Sequence, residues 1–160
     1  MPRSRWSVLA LLPCLVLLSG CSEAATFNNT LVGLTRELEA SGRKFGERVG
    51  RNLGNRDRLE DAYADVVGEV AAVAKKGRKV AVPNDKEARA FHEAFLAYLD
   101  FEEHMVDYDF HKIMSHAASG GRTGILDVIN RLQKREQEEI ARVKAAQQAY
   151  ARPKNVTIME

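Results

Sequence analysis

Apolar residues recur along this chain at steps of three and four, the spacing that places side chains on one face of an α-helix. Between Ala24 and about Gly50 the large ones are Phe27, Leu31, Leu34, Leu38, Phe45 and Val49, which predicts a first helix. Gly33, Gly42, Gly46 and Gly50 interrupt it. Each lowers helix propensity by about 1 kcal/mol relative to alanine, so the helix depends on tertiary contacts, or else its small residues let a neighbour pack closely. Asn52 to Asn55, with Gly54, reads as a turn. Asp57 is then placed to cap a second helix carrying Leu59, Tyr63, Val66, Val67, Val70 and Val73 and ending near Lys76-Gly77.

A connection closed by Pro83 leads to Asn84 or Asp85 as the next N-cap, with Glu87 in the first turn where the helix dipole favours an anion. Phe91, Phe95, Tyr98, Leu99, Met105, Val106 and Ile113 define the apolar side of a third helix that persists to about His116. After the break at Ser119-Gly120-Gly121, Thr123 is the expected cap of a fourth helix with Ile125, Ile129, Leu132, Ile140, Val143 and Tyr150 on one face. Pro153 ends it, and residues 153–160 form a tail too short to pack independently. With no strand-type alternation and no internal repeat, residues 27–152 are expected to form an all-α, antiparallel four-helix bundle running up-down-up-down.

The first twenty residues have a different character. Arg3 and Arg5 precede a nearly unbroken apolar run from Trp6 to Leu18 that contains Pro13. This is the anatomy of a secretory signal, and it is shorter than the roughly 20 apolar residues a membrane span needs. It ends in Leu18-Ser19-Gly20-Cys21, an aliphatic residue, two small ones and a cysteine, which resembles the lipobox of bacterial lipoprotein precursors. Cys14 is a poor alternative because Pro13 precedes it. The resemblance covers about the first two dozen residues. It implies that residues 1–20 are removed, that Cys21 carries a diacylglycerol with a further acyl group such as palmitate on its amino group, and that residues 21–26 are a lipidated anchor and short linker. Two or three acyl chains, at about 0.8 kcal/mol per buried methylene, make a lasting tether where one chain would not. Ser22, being non-acidic, favours the outer over the inner membrane by the sorting rule of that family.

Removing residues 1–20 leaves 140, enough for one domain with its own core. Arg3 and Arg5 go with the signal, so 22 basic residues face 22 acidic ones in the remainder. A net charge of zero argues against nucleic acid as a partner, since that requires a clustered basic footprint. Both cysteines lie in the export region. The mature domain therefore has no thiol for a disulfide, a nucleophile or a zinc cluster.

At about 100° per residue, Glu102 and Asp109 fall among the apolar residues of the third helix, with His116 near its end, and Glu136 and marginally Glu139 fall on the apolar side of the fourth. Because the two helices fold back at Gly120-Gly121, these acids are expected at similar depth. Buried carboxylates must find a cation, share a proton or bind a metal, and Arg131, Lys134 and Arg135 are near enough in sequence to pair with them. The Glu-x-x-His pattern of di-iron bundles is missing: Met105 follows Glu102 at that spacing, and Glu139 follows Glu136. A second set, Asp100, His104, Asp107 and His111, shares the opposite face of the third helix, as metal ligands on successive turns or as a solvated face of acid–histidine pairs. Lys75, Lys76, Arg78 and Lys79 make a basic connection suited to anionic headgroups or an acidic wall polymer.

Gly-x-Ser-x-Gly, Gly-Lys-Ser/Thr and His-Glu-x-x-His are all absent from the sequence. The expectation is therefore a lipid-anchored envelope protein that is not an enzyme, carries no cofactor beyond the lipid on Cys21, and acts by binding or scaffolding. Its partners would be the membrane and another envelope protein. The alternative is a metal-binding bundle that uses the carboxylates and histidines of the third and fourth helices.

Overall fold

The computed structural model describes residues 14–156 and 158, with side chains from residue 23 onward. Residues 1–13, part of the expected signal, and the side chain of Cys21 lie outside the described residues. The described chain is all-helical: α1 (Cys14–Arg51), α2 (Arg56–Gly77), α3 (Lys86–His104), a π-helical segment (Met105–Phe110), α4 (His111–Ala118), α5 (Arg122–Ala151) and a closing 3-10 turn (Arg152–Lys154). Since α3, the π segment and α4 are continuous, they form one rod, and the fold has four. No helix among the described residues is long and apolar enough to cross a membrane.

Several boundaries differ from expectation. Residues 21–26, expected as a linker, belong to α1; Ala24 is buried and its carbonyl accepts a hydrogen bond from the Tyr150 hydroxyl at 3.3 Å. Asn55, not Asp57, caps α2 by accepting from the Arg58 amide. Of the two candidates for α3, Asp85 is the cap, accepting from Ala88 N at 2.8 Å. Thr123 caps nothing, because α5 already begins at Arg122, behind Gly121. Nor does the tail dangle from residue 153: Lys154 pairs with Asp85 at 3.3 Å, and Val156 packs on the core and donates its amide to Ala151 O.

Each rod has an identifiable neighbour and register. Residues ascending α1 meet residues descending α2 in three ion pairs, Glu37–Lys76, Lys44–Glu69 and Arg48–Asp65. Gly77 at the end of α2 abuts Phe95 and Leu99 of α3, while Tyr63, nearer its start, meets His111. On α5, Tyr150 packs near Phe91, Arg135 lies 3.6 Å from Asp109, and Gly124 abuts His116. Across the diagonal, Phe27 packs on Phe91 and Phe45 stacks on Phe110. The apolar stripes meet in one core, where Phe91, Phe95, Tyr98 and Tyr150 are completely buried.

The π segment is the main departure from the expected third helix. Such a segment accommodates one residue more than the α-helical register and so rotates everything beyond it by about 100°. Burial follows the simple wheel as far as Val106, within the segment. Beyond it Ile113 is buried as a straight helix would have it, but Phe110, Met114 and Ala117 also turn inward and His116 turns out.

At Gly77 a Cβ would lie 2.6 Å from Leu99 Cδ1 and 2.8 Å from Phe95, whereas at Gly46 it would meet nothing within 4 Å. Gly77→Ala is expected to destabilise by about 1–3 kcal/mol through overpacking, and Gly46→Ala to stabilise by about 0.5–1 kcal/mol through helix propensity. Urea unfolding of the two variants should shift in opposite directions; shifts of the same sign would contradict this packing.

Candidate functional site

From Glu37 to Arg48 α1 leans on α2 through the three ion pairs, whereas its direct side-chain bonds to α5 lie toward the other end. There the buried Gln147 donates to Asn28 at 3.0 Å, Tyr150 reaches Ala24, and Phe27 packs edge-on against Tyr150. Further along, the two helices diverge around a cavity of about 620 Å³. Its floor is Phe45 and Val49 from α1 with Met105, Phe110 and Ile113 from the central rod, and its far wall is Ile125, Ile129 and Leu132 from α5. The rim carries Gly42, Gly46 and Gly50 on one side and the exposed Leu126 on the other, with Arg43 and Arg122 near the mouth. This volume falls within the usual range for small-molecule sites, about 300–1,000 Å³.

The glycines do not serve close packing inside the chain. A Cβ at 42, 46 or 50 would meet nothing within 4 Å. They leave the α1 side of the cavity without walls, which answers the question their spacing raised.

Three acids line the same cavity: Glu102 from α3, Glu136 from α5 and Glu39 from α1. The expectation that Glu102 and Glu136 would come together is met, and Glu39 joins them. Glu102 is 4 % exposed, and its Oε1 has no hydrogen-bond partner among the described residues. Burial pushes its carboxyl up to about 7, helped by the charges of Glu136 and Glu39 and opposed by the nearby Tyr98 hydroxyl. That hydroxyl is buried too and has no partner of acceptable geometry; burial and then Glu102 raise its pKa. Glu136, half-buried, is also raised, first by burial and then by Glu39.

The other acids of the expected cluster go elsewhere. Glu139 pairs with Arg142 at 2.8 Å. Asp109 is buried facing Arg135, one of the partners foreseen, while its Oδ2 makes no hydrogen bond. His116, expected near them, is exposed and lies over Gly124 at the turn into α5. The surface set is dispersed as well: Asp100 pairs with Arg78 at 2.7 Å, His104 stacks on Tyr108, and the π segment swings His111 sideways onto Tyr63, whose hydroxyl also feels the charge of Asp107. Among the described residues no three His, Cys, Asp or Glu side chains converge closely enough to hold a metal ion. In the basic connection, Lys76 pairs with Glu37 and Arg78 with Asp100 and Glu103, while Lys75 and Lys79 are exposed.

Comparisons with protein-family models, with curated proteins and with solved structures return no match. The chemistry of the site is therefore argued from its own residues. An apolar cavity of this size with a buried carboxyl in its wall has the features by which small-molecule sites are recognised.

Below pH 4.5 Glu102 is protonated in both the folded and the unfolded chain, and its burial then carries no charge penalty. As pH rises from 4.5 to about 7, the unfolded chain releases the proton while the folded chain retains it. Stability falls through that window, by about 3 kcal/mol at about 1.4 kcal/mol per pH unit. Glu102→Gln is expected to match the parent at pH 4 and to exceed it by about 2–3 kcal/mol at pH 8 in urea titrations. An equal difference at both pH values would contradict a carboxyl held protonated by burial.

Proposed function

We propose that this chain is a lipid-anchored bacterial envelope protein that acts by binding a small, largely apolar ligand between α1 and α5, and that it is not an enzyme. The observation carrying the proposal is the cavity of about 620 Å³, apolar along its floor and lacking side chains at Gly42, Gly46 and Gly50. The rods are taken to run up-down-up-down, an antiparallel bundle supported by ascending residues of each meeting descending residues of the next. The anchor is the acylated Cys21, and the lipobox residues Leu18-Ser19-Gly20 support it. The envelope, with the outer membrane favoured by Ser22, is the proposed location. Membrane contact is through the lipid, a second envelope protein is a candidate partner, and nucleic acid is not.

The neutral charge of residues 21–160 and the engagement of Lys76 and Arg78 in ion pairs support the exclusion of nucleic acid. The metal-binding alternative has no comparable support, because Glu139 and Asp109 face arginines while His104 stacks on Tyr108 and His111 meets Tyr63 edge-on.

Two measurements test the reading. Titration with the uncharged dye N-phenyl-1-naphthylamine should give saturable, one-to-one fluorescence enhancement that is lost in Gly46→Leu, whose side chain projects into the cavity. Absence of saturable binding, or binding unchanged in Gly46→Leu, would remove the cavity as the site. In a bacterial host, the parent should fractionate with membranes and Cys21→Ser should not; an unmodified Cys21 by mass spectrometry would remove the anchor.

A further inference from the structure

Three buried side-chain atoms lack a hydrogen-bond partner among the described residues, and two of them, Glu102 Oε1 and the Tyr98 hydroxyl oxygen, are neighbours one helical turn apart. Glu102 lines the main cavity. Tyr98 lines a smaller one of about 110 Å³ that shares Glu39 with it. Glu102 stands toward the Leu38 end of the larger, apolar channel, which extends from Leu38 to Gly50 along α1, about 18 Å at 1.5 Å per residue.

The charges that act on Glu102 are of one sign. Glu102 comes from α3, Glu136 from α5 and Glu39 from α1, while α2 contributes no residue to the lining. Arg43, one turn from Glu39, and Arg122 at the far end sit on exposed positions, Arg36 and Lys144, also exposed, line the smaller cavity, and Arg135 is directed at Asp109 and the face of Phe101. No cation within the described chain neutralises Glu102.

A buried acceptor flanked by like charges in the wall of an apolar channel is complementary to one chemical group, a hydrogen-bond donor bearing positive charge. We infer that the ligand of this cavity is a cationic amphiphile, an aliphatic or aromatic primary amine. Its ammonium donates to Glu102 Oε1 and the Tyr98 oxygen, and its apolar body lies on Phe45, Phe110 and Ile129. The inference rests on the binding function proposed above and specifies the class of molecule bound.

Entry of the ammonium favours the ionised form of Glu102 and expels its proton. The amine itself stays protonated up to about pH 10, as a lysine side chain does. With a carboxyl near 7 in the free protein, the competent fraction is about one-tenth at pH 6 and nine-tenths at pH 8. Affinity therefore rises about tenfold over that interval.

Calorimetric titration of the purified chain with decylamine, decanol and decanoic acid tests this. Decylamine is expected to bind one-to-one and at least tenfold more tightly than decanol at pH 8, and about tenfold more weakly at pH 6, where binding releases close to one proton. Glu102→Gln should reduce decylamine to the affinity of decanol and flatten the pH profile, while retaining decanol binding as evidence of an intact cavity. Gly46→Leu should exclude both. Equal affinities for amine and alcohol, or tightest binding of decanoic acid, would overturn the amine assignment while leaving the cavity as a binding site. If decanol and decylamine both fail to bind, the binding function itself fails.

Discussion

The rest of this molecule depends on how α1 is held. Three ion pairs tie it to α2 from Glu37 to Arg48, and a buried polar and aromatic contact at Asn28, Phe27 and Ala24 ties it to the end of α5. Exposed ion pairs contribute at most about 1 kcal/mol each, so they set direction more than stability. The fixed point is Asn28–Gln147, since separating the two buried amides would leave the Asn28 oxygen and the Gln147 nitrogen without partners. Hinged there and leaning towards α2, α1 must diverge from α5 further along, and the cavity is the consequence.

The glycines act in the same direction. A helix with leucines at 42, 46 and 50 would fill the gap and tie α1 to α5 along its length. With glycines, the wall of the gap is backbone and helix propensity is lost at three positions, with no compensating contact in the chain. The π segment completes the floor from the opposite side. Without its one-residue shift, Phe110 would sit at the flank of the rod and could not stack on Phe45 at 4.4 Å.

Much of this was legible in the sequence where the signal was local. The stripes of α1 and of α3 up to Val106 were read residue by residue, because a 3.6-residue period is a property of a few consecutive turns. Glu102 and Glu136 were found in the same way, as acids standing where the period demands apolar residues. What lay beyond reach depended on contacts between elements. The π insertion has no local marker, so Phe110, Met114 and Ala117 were missed, His116 was placed inside, and the face shared by Asp100, His104, Asp107 and His111 was assembled on a register that does not persist. Glu39 gave no signal because it flanks Leu38 at the edge of a stripe and acquires meaning only when α5 stands away from it. The glycines could be read as a deficit but not as an opening, since that depends on where the neighbouring helix stops.

Cys21, the proposed anchor, and the cavity share a helix, which limits what the proposed ligand can be. From Cys21 to Leu38, the nearest cavity residue on α1, are seventeen residues of continuous helix, about 25 Å at 1.5 Å per residue. If acyl chains hold position 21 at a bilayer, the cavity begins roughly that far along a rigid rod that starts at the membrane. A lipid embedded in the same bilayer cannot span the interval without leaving it. Arg122, on the rim, is exposed at the other end. The occupant must then arrive from the aqueous side, which calls for enough charge to be soluble and enough apolar surface to be retained. An amine on a short apolar body meets both requirements, and the carboxyl in the wall of the cavity is the group that distinguishes it from a neutral molecule of the same shape.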